Sequence, residues 1–150
     1  LRGRFTLPFE TLYISYNLNT PLGSQLSRQL KAGSDVRLVN SPSEAQAILY
    51  ILGERRSRNV VAYNAYGDAR EYELKLEVSF RLAAPDGALY LPDTVIPAVR
   101  EISYNEEDYL TRDTEEALVI NEMLSDIVVQ MVRRIEKAQP PKQPEDLTTR

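Results

Sequence analysis

The sequence predicts an α+β two-layer sandwich: a mainly antiparallel or mixed four-stranded sheet with two helices packed on one face. Three observations carry that expectation. Residues 72–82, YELKLEVSFRL, put Tyr72, Leu74, Leu76, Val78, Phe80 and Leu82 on one side of an extended chain and Glu73, Lys75, Glu77, Ser79 and Arg81 on the other, because successive side chains alternate faces. A strand with one apolar and one charged face belongs to a sheet that is covered on one side and wet on the other. Two amphipathic segments, residues 22–32 before this strand and 113–137 after it, are available as the cover.

The elements follow in order. Leu1-Arg2-Gly3-Arg4 is basic, without periodicity, and reads as a lead-in. Residues 11–16 alternate Leu12, Ile14 and Tyr16 against Thr11, Tyr13 and Ser15, a first strand. Thr20-Pro21 starts a helix, with Thr20 as N-cap and Pro21 at the first helical position, where its missing N–H costs nothing. Leu22, Leu26 and Leu30 form its apolar stripe, Arg28 and Lys31 suit its C-terminal dipole, and Gly33 is expected as a left-handed stop. Residues 36–39 make a brief strand, and Ser41-Pro42-Ser43 turns the chain.

Residues 47–63 read as one long strand. Its inner half, residues 47–52, is continuously apolar, and its outer half, with Arg55, Arg56 and Arg58, projects from the core. Gly67-Asp68 marks the hairpin into the central strand, and Pro85-Asp86-Gly87 marks the next turn. Residues 88–104 return as a final strand that Pro92 and Pro97 make irregular or place at an edge. Asp113-x-x-Glu116 matches a capping box. Ile120, Met123, Leu124, Ile127, Met131 and Ile135, widened by Val128 and Val132, form the broad stripe of a helix packed on a sheet. Pro140-Pro141 ends that helix. Residues 1–138 are therefore expected as a single domain and residues 139–150, polar and Pro-rich, as a disordered tail.

Composition narrows the function. A chain of 150 residues can bury roughly 70 % of its unfolded surface as one domain. It contains neither Cys nor His, so the commonest general base, the commonest zinc ligand and every thiol chemistry are missing from it. A net charge of −4 argues against a general nucleic-acid binder. No apolar run approaches the ~18 residues that a membrane-spanning helix needs. The chain opens at Leu1 without Met, so an upstream piece carrying a localisation signal is expected.

Two constellations have chemical content. Glu106, Glu107 and Asp108 form the densest carboxylate cluster and admit a carboxylate-dependent hydrolase, although adjacent carboxylates in a polar stretch before a helix are more often solvated and favourable to its N-terminus. No phosphate loop, nucleophile elbow or metal-spaced ligand set accompanies them, so a non-enzyme without cofactor is expected. Arg55, Arg56 and Arg58, with Arg70 across the hairpin, suit bidentate contacts to phosphate or carboxylate; the alternative is a charged projection that keeps a long strand soluble. Tyr63, Tyr66 and Tyr72 gather at the same hairpin, consistent with a contact surface.

Leu1-Arg2-Gly3, the Y-x-L-x-L-x-V-x-F strand from Tyr72, and T-R-D-x-E-E-x-x-x-x-N-E-M-x-x-D-x-x-x-Q-x-x-R-R-I over residues 111–135 together resemble the LPS-assembly lipoprotein family LptE. The resemblance covers about the first 138 residues, and the capped terminal helix is its most specific part. It implies a periplasm-facing outer-membrane lipoprotein, held by a lipid anchor upstream of Leu1. Such a protein plugs the LptD β-barrel and binds lipopolysaccharide during insertion into the outer leaflet. The family's basic position before the last helix falls on Arg112. A second, at the hairpin tip, falls near Ala65, so charge there would come from Arg58 or Arg70. An auxiliary lipoprotein of a lipid-exporting ABC transporter has a similar order of elements and is the alternative.

Overall fold

The computed structural model describes residues 4–104 and 112–141. Strand β1 (Thr11–Ser15) leads into helix α1 (Pro21–Gly33), followed by strand β2 (Arg37–Leu38). Three long strands come next, β3 (Ala47–Tyr63), β4 (Ala69–Ala83) and β5 (Leu89–Ser103), and then helix α2 (Arg112–Lys137). The sheet order is β2-β1-β3-β4-β5. β1 pairs parallel to β2 and to β3, whereas β3, β4 and β5 pair antiparallel. The sheet thus has five strands, one more than expected. The fifth is the brief strand expected at residues 36–39, which forms as the two-residue β2 and reaches the far side of β1 as a parallel crossover through α1.

β4 alternates as its sequence demands: Leu74, Leu76, Val78, Phe80 and Leu82 are buried, and Glu73, Lys75, Glu77, Ser79 and Arg81 are half-exposed. Its buried face meets Leu22, Leu26 and Leu30 of α1 and Met123, Ile127, Met131 and Ile135 of α2 in one core, all seven helix side chains being fully buried. The helices are joined directly, Ser125 Oγ donating to Gln25 Oε1 at 2.7 Å. β5 is the edge strand that its prolines foretold, with its register to β4 slipping between the Phe80 and Leu82 pairs, next to Pro92. Gly67 (φ 85°) and Gly87 (φ 94°) occupy the left-handed positions of the two hairpin turns, where a side chain would be strained. Asn64 Oδ1 braces the first turn by accepting from the N–H groups of Tyr66 and Asp68.

Two helix ends differ from expectation. Thr20 caps α1 as predicted, Gly23 N donating to its Oγ1 at 3.1 Å. Gly33, however, lies inside the helix without a positive φ, and the cap is Ser34 in extended conformation, its Oγ donating to the Leu30 carbonyl at 2.7 Å. Gly33 serves packing: a Cβ there would collide with the Phe5 ring, whose own backbone N–H donates to the Gly33 carbonyl. At α2, Arg112 is already helical, so Asp113 sits within the first turn and not at the N-cap. There its charge still favours the helix N-terminus. No helix among the described residues is long and apolar enough to cross a membrane. Residues 105–111, and with them Glu106, Glu107 and Asp108, lie outside the described residues, as does most of the expected tail.

Candidate anion-binding site on the hairpin arm

β1 pairs β3 only as far as Tyr50. Beyond it, β3 is the edge of a three-stranded antiparallel arm with β4 and β5, two-stranded only at the hairpin tip past Glu71, and residues 54–61 of β3 are all exposed. A bulge between Ile51 and Gly53 decides which way its arginines point. An extra residue in one strand shifts the alternation by one, so even-numbered positions beyond it join the helix-side face. Arg56 is opposite Leu76, Arg58 opposite Leu74 and Val60 opposite Tyr72, whereas Arg55 is opposite Glu77 on the solvent face. Directly paired residues share a face. The four hairpin arginines therefore do not form one patch.

Arg58 and Arg112 do come together. The Arg58 guanidinium lies 4.9 Å from the Tyr72 ring centroid, and Arg112 lies 5.7 Å from the same ring and 4.6 Å from that of Tyr104. The two rings meet edge-on at 5.5 Å. Aromatic faces attract guanidinium groups by about 0.5–2 kcal/mol per contact while leaving the edge N–H donors for other acceptors. Glu116, one helical turn into α2, takes an Arg58 Nη1 hydrogen bond at 3.2 Å. Among the described residues, Glu116 is the carboxylate that faces these guanidinium groups. Arg70 borders it through the backbone, its carbonyl accepting from Tyr104 N at 2.8 Å.

Tyr104 is the floor of the cluster. It is buried, and its hydroxyl has no hydrogen-bond partner among the described residues. Burial, followed by the nearby Glu116 carboxylate, pushes its pKa above the ordinary tyrosine value, and Arg112 and Arg58 oppose that shift. The phenol is neutral at physiological pH. Arg56 takes a separate place with Glu54 beside a recess of about 300 Å³ floored by Leu76, Val78 and Leu124.

Of the residues singled out from sequence, Arg58 and Arg112 converge, Arg70 adjoins them, Arg56 is displaced along β3 and Arg55 faces away. The sequence does not single out Tyr104 or Glu116 for this site: Tyr104 carries no local signal, and Glu116 reads as a capping residue. Only the β4–β5 register, with Tyr72 opposite Ile102, brings the two tyrosines side by side. Tyr63 and Tyr66 stand at the arm tip, 65 % and 86 % exposed.

Comparison with known proteins agrees with this architecture. The solution structure of lipoprotein B from Nitrosomonas europaea is 28 % identical and superposes with a TM-score of 0.75 over 89 % of this chain and 86 % of that one. Rare lipoprotein B from Shewanella oneidensis, 20 % identical, has a TM-score of 0.71 over 82 % and 91 %. A minor lipoprotein from Acinetobacter baumannii, 23 % identical, also has a TM-score of 0.71, over 92 % and 99 %. The last two establish a shared fold. No curated protein matches the chain in sequence. The LptE lipopolysaccharide-assembly model matches residues 9–135, nearly the whole described domain. The chain belongs to the LptE family of lipopolysaccharide-assembly proteins.

Proposed function

We propose that this protein is a non-enzymatic, lipid-anchored component of the outer membrane, facing the periplasm. It seats in the LptD β-barrel and holds lipopolysaccharide by its phosphates while the glycolipid is inserted. Membership of the family supports the assembly role. The observation that carries the ligand assignment is the Arg58–Arg112 pair stacked on Tyr72 and Tyr104. Lipid A phosphates would displace Glu116 from Arg58 and accept charge-assisted hydrogen bonds from both guanidinium groups. Arg70 adds charge from the adjoining strand, and Arg55 and Arg56 extend the positive field along the arm.

Two experiments test the two halves. Affinity purification of the lipidated protein from detergent-solubilised membranes is expected to recover a stoichiometric outer-membrane β-barrel. Recovery of inner-membrane transporter subunits would instead favour an auxiliary lipoprotein of an exporter. Reversing Arg58, Arg70 and Arg112 together to Glu is expected to weaken lipopolysaccharide binding at least tenfold and to remove most of its salt dependence. Unchanged binding would overturn the ligand assignment.

A further inference from the structure

We infer that the free edge of β3 accepts an extended acidic segment of a partner protein as an added strand. Apart from the short stretch of β1 past Leu12, the described sheet has three open edges. β2 is two residues long, and β5 carries Pro92 and Pro97, which cannot donate to a neighbouring strand. The third edge is β3 beyond Tyr50, where β1 stops pairing and no other strand among the described residues takes over. Between its bulges this edge runs in regular register with β4 from Gly53 to Val60, contains no proline and is exposed from Glu54 onward. Alternate backbone N–H and C=O groups of an antiparallel strand point away from its partner, and an edge of that kind is a template for strand addition.

The side chains choose the occupant. Arg55 lies on one face of the edge, opposite Glu77, and Arg56 and Arg58 lie on the other, where Arg58 also bonds Glu116; on the edge strand itself three arginines stand against one carboxylate, Glu54. A second copy is disfavoured: every two-fold antiparallel register centred from Arg55 to Ser57 sets arginine directly opposite arginine, and like charges so placed are destabilising. An incoming strand with carboxylates on both faces meets all three arginines. Val60 and Val61, 37 % and 47 % exposed, offer apolar contacts at its other end. Only Arg58 is shared with the proposed glycolipid cluster; the β3 backbone edge, Arg55 and Arg56 lie outside it, so the inference does not need that assignment.

The test is a capped ten-residue peptide of threonine, valine and four glutamates, added to the full chain without lipid. Backbone hydrogen exchange is expected to slow by at least tenfold within residues 53–61, and N-methylation of alternate peptide residues is expected to abolish that protection. The exposed double substitution Arg55→Glu with Arg56→Glu should weaken binding at least tenfold without changing the fold. Equal binding of the N-methylated peptide would reduce the effect to charge attraction and overturn the inference. Protection elsewhere in the chain, or self-association through these residues at equal concentration, would overturn it too.

Discussion

β3 is one strand with two environments. Its inner half, containing Ala47, Leu49 and Ile51, is buried beneath the helices, and its outer half, from Glu54 to Val61, is exposed. Both halves pair with β4 throughout, so hydrogen bonding does not separate them. What separates them is the cover. Over the inner half, apolar burial at roughly 25 cal/mol per Å² supplies stability. On the outer half the β3 side chains stay in water, although Leu74, Leu76 and Val78 opposite them on β4 remain in the core, so it is the β3 side chains that are available for recognition. Stability and binding are thereby assigned to different lengths of the same strand, β3.

The comparison breaks most severely at Phe80, fully buried opposite Ile51. Phe80→Ala is expected to cost about 3–5 kcal/mol, measured by urea unfolding, whereas Val61→Ala on the arm should stay within about 0.5 kcal/mol. Next comes Gly23. A Cβ there would collide with the Asn17 carbonyl and the Leu18 Cα, both backbone atoms with little room to yield. Gly23→Ala is expected to cost about 1–3 kcal/mol despite its better helix propensity.

A smaller effect lies where the two halves join. Tyr16 hydrogen-bonds Glu54 just beyond the bulge. Burial, together with that bond and the carboxylate charge, raises the Tyr16 pKa to about 12 from 10.0. A raised folded-state pKa means that the stabilisation is complete below the unfolded value and is lost as pH rises through the folded one. The junction is therefore expected to weaken between pH 10 and 12, and Tyr16→Phe should flatten that alkaline limb in unfolding titrations. Smallest is Tyr104→Phe. It removes a buried hydroxyl without a described partner, so stability should hold or rise by up to about 1 kcal/mol.

Much of this division can be read from residues alone. The alternation from Tyr72 to Leu82, the Leu22/Leu26/Leu30 stripe and the Met123 to Ile135 stripe are local patterns, and local periodicity is what a sequence displays. The composition of β3 likewise announces where its burial ends. The bulge before Gly53 is different. Its one local sign is Gly53, an isolated glycine within a strand pattern, which does not say how the faces turn; the bulge sets Arg56 and Arg58 toward the helices and Arg55 away. Glycine is equally ambiguous: Gly33 sits where a helix stop is expected and instead makes room for Phe5, nearly thirty positions earlier in the chain. The site was legible as a set of arginines on one hairpin. Its grouping was not, because Arg58, Tyr72, Tyr104 and Arg112 meet only through strand register and the docking of α2.

The most direct test of the division reads stability and binding on one variant. Arg58→Glu combined with Arg112→Gln removes both guanidinium groups of the cluster while leaving every fully buried core side chain in place. The expected result is an unfolding free energy within about 1 kcal/mol of the parent and lipopolysaccharide binding weakened at least tenfold. Parent-like binding, or loss of binding only in step with unfolding, would contradict the assignment of recognition to the arm.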